Sequence, residues 1–334
     1  MRVFELTQEL IDIESITPNE GAVGDFLYET LAALARAANG DIERMPVEPG
    51  RDNIFVRFGR PKVVLSTHMD TVPPFIASSE TDDAIWGRGA CDTKGIIAAM
   101  IVAAEQLLAR ERRDFGLLFV VGEERNSAGA FYAARNPRGS QFLINGEPTE
   151  NRLALGSKGV LRYEIVGHGR MAHSAYPHLG ESAIEKLLSA LDRIRRIPFP
   201  SHPVLGPTTL NIGTIAGGLA PNVIPDHAAA ELLIRVVGDP TPVRTAIASA
   251  AAPDAEAVET LFIPAVHLEA LDGFETTTVA FTTDIPAFNG AWGRPFLLGP
   301  GTIHVAHTTD EHVLKADLVR AVDLYASLVE RLSA

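Results

Sequence analysis

The chain has 334 residues, 46% hydrophobic and 21% charged, the balance of a soluble globular protein long enough for more than one structural unit. Its formal net charge of -13 argues against nucleic acid or an anionic membrane surface as partner, since both call for a basic face. One cysteine, Cys91, excludes an internal disulfide; with no secretion-type apolar leader in "MRVFELTQEL" and no bilayer-length apolar run, a reducing, cytoplasmic setting is expected.

In chain order, residues 22–38 set apolar side chains at helical spacing, and short apolar β-rich runs follow at 53–59 and 62–67. A second helix is predicted over 95–111, then strands over 116–121 and 141–145. Continuous apolar strands between helices predict an α/β fold whose mainly parallel sheet is covered on both faces. From 158 the rhythm changes. A half-buried strand at 158–169, a helix at 181–197 and strands at 208–218 and 227–237 lead to a helix at 240–252 and a strand at 257–264. That β-α-β-β-α-β order predicts a ferredoxin-like unit over 157–264, inserted into a larger domain made of 1–156 and 265–334. The final stretch, 308–332, reads as one long amphipathic helix opening on threonine and acidic residues.

The chemistry-bearing residues stand just past strand ends, where α/β sheets place their sites. The run "KVVLST" ends in His68 and Asp70, which strand periodicity puts on one side, so that Asp70 can orient the imidazole. A His–Asp pair at a strand end is also a common turn. Asp92, in "WGRGACDTKGI", fits a helix N-cap as well as a ligand, and Cys91 beside it fits core packing. "FVVGEERNSA" brings two adjacent carboxylates, Glu123 and Glu124, to a strand end, and "LINGEPTE" brings Glu147. "GPGTIHVAHTTDEH" contributes His304, His307 and His312, two of them expected on the surface.

Taken jointly, His68, Asp92, Glu124, Glu147 and His307 are ligand-type side chains on one predicted edge of the sheet. Two histidines and three carboxylates can hold two divalent cations with one carboxylate bridging. The nitrogen–oxygen donor set without thiolate suits zinc, with cobalt or manganese as substitutes. The metal charge would also keep clustered carboxylates ionised. Successive residues at a strand end point in different directions, so Glu123 and Glu124 can divide their labour.

The segments "STHMDTVPP", "WGRGACDTKG", "VVGEERNSAG", "INGEPT", "GRMAHSAYPHLGESAI", "GGLAPNVIP" and "GPGTIHVAHTTDEHV" together resemble the metallopeptidase family M20, near acetylornithine deacetylase, succinyl-diaminopimelate desuccinylase and acetyl-lysine relatives. The resemblance runs over essentially the whole chain. It implies a zinc-hydrolase catalytic domain with a lid and dimerisation domain in the insert. It implies His68 and His307 on different metals, Asp92 bridging, Glu124 and Glu147 completing the shells, Asp70 orienting His68 and Glu123 as general base. His307 is preferred to His304 because "AHTTDE" matches the family's ligand segment. His173 would stabilise the oxyanion in the neighbouring subunit's site, and Asn222 and Arg235 would contact substrate, Arg235 by its carboxylate. Two departures stand out: Leu233 where an acidic residue is usual, and Ile96 where a second glycine is usual. The implied activity is a two-zinc amidohydrolase acting on an N-acyl amino acid, acetylornithine deacetylase-like and serving amino-acid biosynthesis. A desuccinylase, a dipeptidase, or an inactive metal-binding homologue are the alternatives.

Overall fold

The computed structural model describes residues 1–334, which form two compact units. The first comprises Met1–Leu155, Leu268–Thr277 and Thr283–Ala334; the second comprises Gly156–His267 with Thr278–Thr282.

The first unit opens with helices α1 (Arg2–Ile11) and α2 (Gly21–Ala38), followed by the hairpin β1 (Asp41–Glu48) and β2 (Arg51–Gly59). Next come β3 (Val63–His68), α3 (Gly95–Ala109), β4 (Asp114–Val120), α4 (Ala128–Arg135) and β5 (Phe142–Asn145). Six strands form one sheet in the order β1-β2-β4-β3-β5, closed by a later strand, Arg294–Leu297. The sheet is mixed: β3 runs parallel to β4 and β5, whereas β1, β2 and β4 pair antiparallel. The expectation of a mainly parallel sheet fails at this edge for a local reason. Pro49 and Gly50 (φ +74°) form a two-residue turn that folds β2 straight back on β1, and so short a link permits only antiparallel pairing.

Every residue of β3 is buried, as is most of α3, so both read as largely apolar runs instead of amphipathic ones. Ile96, the residue in place of a glycine, belongs to this packing. A methyl group added at Gly146 would lie 2.5 Å from its Cγ2, and one at Gly299 3.0 Å from its Cδ1. The large side chain thus fills space left by two glycines, one of which directly precedes Glu147.

In the second unit β6 (Gly159–His168), α5 (Ala183–Arg195), β7 (Thr209–Gly217), β8 (His227–Val236), α6 (Thr241–Ala251) and β9 (Ala255–Ile263) follow the β-α-β-β-α-β order. The sheet order is β7-β8-β6-β9, all antiparallel. Leu187, Leu191 and Ile194 of α5 and Val243 and Ile247 of α6 pack with Leu161, Ile165, Leu232 and Ile234 of the sheet in a core of the unit's own.

The first unit resumes with α7 (Ile285–Phe288), the strand β10 (Arg294–Leu297) and the terminal helix α8. Here a second expectation is corrected, because α8 spans Lys315–Ser333 and not 308–332. His312–Leu314 is a short strand paired with Ala84–Trp86. The acidic residue expected to serve the helix start, Glu311, is instead 1% exposed and bonded to Arg88, so the chain is held extended until Leu314.

Candidate metal centre

Three neighbouring strands of the first unit end together, and each delivers a carboxylate or imidazole at its carboxyl end. β3 ends on His68, β4 is followed by Val121, Gly122 and the glutamate pair, and β5 is followed by Gly146 and Glu147. The turn after β4 depends on two buried polar side chains. Asn53 accepts from the Val121 N–H (3.1 Å) and donates to the Gly129 carbonyl (2.9 Å). Asp70 accepts from the N–H groups of Gly122 (2.9 Å), Glu123 (3.1 Å) and Glu124 (3.2 Å) and from the Thr17 hydroxyl (2.7 Å). The backbone of both glutamates is therefore fixed without using either side chain.

Asp70 touches His68 in a way the strand pattern did not anticipate. Its backbone carbonyl lies 3.0 Å from Nδ1, and its carboxylate lies at 3.5 Å. A carbonyl only accepts, so Nδ1 carries a hydrogen and Nε2 is the nitrogen left to face the cluster. Nε2 lies 3.0 Å from Asp92 Oδ1. The other oxygen, Oδ2, lies 3.3 Å from Nε2 of His307, which is also 3.1 Å from Glu124 Oε1. Asp92 is not a helix cap: the residue before α3 is Lys94. One atom each from His68, Asp92 and Glu124 lie within 4.8 Å of one another. His307 adopts φ +64°, a left-handed conformation that costs a non-glycine residue of order 1 kcal/mol and is concentrated at functional sites.

Charge at this site is badly balanced. Asp92, Glu123, Glu124, Glu147 and Asp284 have no lysine or arginine in ion-pair range. Glu147 is buried with Oε1 unpartnered. Burial pushes the Glu123 and Glu147 carboxyls well above the usual range, with neighbouring carboxylates adding to it and His68 opposing. Burial raises Glu124 too, against its bond to His307. Asp92 goes the other way: burial opposes its ionisation, yet the bonds from His307 and His68 hold it far below the usual range. Those partners, Asp92 first and then Glu124, raise His307 to about 10. A surplus of buried carboxylates beside two imidazoles is a donor set fitted to divalent cations.

Asp284 was missed from sequence. It lies one residue before α7, 1% exposed, with neither carboxylate oxygen in hydrogen-bonding geometry, and burial lifts it to about 7. In "FTTDIPAF" an aspartate before Ile-Pro looks like a turn residue, so no local signal marks it.

The second unit holds the remaining candidates. His173 is exposed, its Nδ1 accepts from the Ala175 N–H (3.1 Å), and Asn222 sits beside it through the bond from Ser174 N–H to the Asn222 carbonyl (3.0 Å). Arg235 on β8 is partly buried with Nη1 unpartnered, and burial lowers its pKa. Lys158 is 9% exposed and its ammonium bonds the Pro207 carbonyl (2.6 Å); burial, then the Arg235 charge, lowers its pKa. Lys158 was not singled out from sequence, where it is one lysine in "GSKGVL".

An α/β fold with a mixed sheet, bearing a histidine–carboxylate cluster at its strand ends, defines a metal-dependent hydrolase acting on amide bonds. The chain belongs to peptidase family M20/M25/M40, whose model matches residues 64–331. It is 38% identical to a probable carboxypeptidase of Aspergillus terreus over 97% of this chain and 84% of that protein. Its fold matches a tripeptidase of Staphylococcus aureus with a TM-score of 0.84 at 22% identity, covering 99% of this chain and 98% of the other. It also matches a Bacillus subtilis protein described as a dinuclear metal binding peptidase from the M20 family (TM-score 0.71, 17% identity, 99% and 98% covered).

Proposed function

We propose that the chain is a two-metal peptidase that hydrolyses the amide bond to the amino group of a C-terminal amino acid, in a short peptide or an N-acyl amino acid. The observation that carries it is Asp92, which turns one carboxylate oxygen to the imidazole of His68 and the other to that of His307. His68 with Glu147 and His307 with Glu124 would hold two zinc ions on either side of that bridge. Cobalt or manganese can substitute in such a donor set.

The cations would polarise the amide carbonyl and acidify the attacking water. Glu123 takes a proton from the water and hands it to the amine as the C–N bond breaks, leaving a carboxylic acid and an amine. The second unit is proposed as a lid through which two copies pair. His173 would then donate to the oxyanion in the other copy's site, and the unpartnered Nη1 of Arg235 would grip the substrate carboxylate. The similarity to a probable carboxypeptidase favours carboxypeptidase action. The "GEPT" and "LGPGTIHVAHTTDEH" segments favour the narrower acetylornithine deacetylase reading.

A hydrolysis screen over dipeptides, tripeptides and N-acetyl, N-succinyl and N-formyl amino acids, each with a free and an amidated C-terminus, tests the proposal. Turnover confined to free carboxylates is expected, and peptides turning over faster than N-acetylornithine would settle on the carboxypeptidase form. Equal turnover of the amidated series refutes the C-terminal assignment. For His173, mixing His173→Ala with Glu123→Gln chains should give activity that neither has alone. A fully active monomer would sink that role.

A further inference from the structure

Glu311 has no part in the scheme above, yet both oxygens of its carboxylate are engaged beside the cluster. It is 1% exposed, and a carboxylate so far from water needs several compensating bonds to remain. Oε2 takes the Arg88 guanidinium at 2.5 Å. Oε1 accepts from two backbone groups, the N–H of Gly89 (2.9 Å) and the N–H of Asp92 itself (3.2 Å). The Glu311 backbone carbonyl accepts from the Gly87 N–H (3.0 Å), which extends the ladder of Leu314, Val313 and His312 against Ala84, Ile85 and Trp86. Arg88 is anchored in turn by the Pro74 carbonyl (3.2 Å).

The consequence is a link between loops more than two hundred residues apart. Glu311 lies four residues after His307, and the loop it holds carries Asp92, whose two oxygens face His68 and His307. We propose that Glu311 is a positioning residue: by bonding the Asp92 main chain it fixes how that carboxylate divides its oxygens between the two imidazoles, and so sets the affinity of the centre for its second cation. This rests on the two-metal reading above.

The test separates positioning from mere support. Replacing Arg88 and Glu311 together by methionine removes the buried charges without leaving one unpaired, and removes the acceptor for the Asp92 N–H. The R88M/E311Q pair is likewise uncharged but keeps an acceptor oxygen. Metal-free wild type and both double variants are titrated with Zn2+ alone by calorimetry, and their metal-free Tm values are compared.

Wild type is expected to take two zinc ions. R88M/E311M should bind the weaker one about 10- to 100-fold less tightly, the range for residues that orient ligands. R88M/E311Q should recover most of that affinity at a similar metal-free Tm. Equal zinc affinity in the two double variants overturns the proposal. So does a metal-free Tm that falls in step with affinity, since that is the behaviour of a structural residue. Wild type that binds no zinc overturns both this inference and the two-metal function.

Discussion

Replacing Glu123 by glutamine is expected to lower kcat about a thousandfold while the protein keeps its full complement of metal. Glutamine has the same shape but cannot accept the water's proton. The turn should survive the change, because the Glu123 N–H is held by Asp70 and the side chain contributes nothing to that bond. Stability should not fall either. The Glu123 carboxyl is pushed well up by burial, with Asp284, Glu124 and Asp92 adding repulsion, so a neutral amide relieves a cost. Metal analysis, steady-state hydrolysis and a thermal scan on one preparation check all three parts. Glu124→Gln is the contrast: that carboxylate bonds His307, and its loss should lower metal content together with activity. Activity that survives Glu123→Gln would remove the residue from the role of base.

The site was legible in sequence to the extent that its residues end apolar strands. His68, the 123–124 pair and Glu147 each follow a run whose burial is plain from composition, and the structure brings them to one edge. Asp92 and His307 come from loops, and only the joint presence of the other donors made them stand out; the structure puts their side chains 3.3 Å apart. What escaped reading depends on tertiary partners. Asp70 does lie against His68 Nδ1 as expected, by its carbonyl and its carboxylate, but the strand pattern did not show that the same carboxylate also holds three N–H groups at a different strand end. Glu311 looked like a helix-start residue, and a buried arginine from residue 88 turned it inward. Asp284 has no pattern at all, since its distinction is burial without a partner. The β1–β2 edge shows the same limit: the α/β rhythm of the rest gives no sign of the strand return that Pro49 and Gly50 make.

Removing the metal should abolish hydrolysis altogether and reverse how stability depends on pH. In the metal-free chain, Asp284 is raised to about 7 from an ordinary 3.8, and His307 to about 10 from 6.5. A group whose pKa is raised by folding contributes stability that is fully present below its unfolded value and is lost as pH climbs through the folded one. For Asp284 that loss runs from about pH 4 to 7, at up to about 1.4 kcal/mol per pH unit, and for half-exposed His307 it continues from 6.5 towards 10. Glu123 and Glu147, raised by burial, pull in the same direction. Asp92 and Asp70 are lowered, so their contribution is already complete above about pH 4 and leaves the slope unchanged. The metal-free Tm should therefore fall steadily between pH 5 and 9. With zinc present the slope should turn upward over the lower half of that window. Cations compete with protons for His68 and His307, and a ligand held at a hundred times its Kd adds about 2.7 kcal/mol. Thermal scans of chelator-treated and zinc-restored protein across this pH range, with activity measured beside them, give the answer. A metal-free Tm that rises with pH, or hydrolysis that persists after chelation, would mean that these carboxylates and imidazoles are not gathered for a cation.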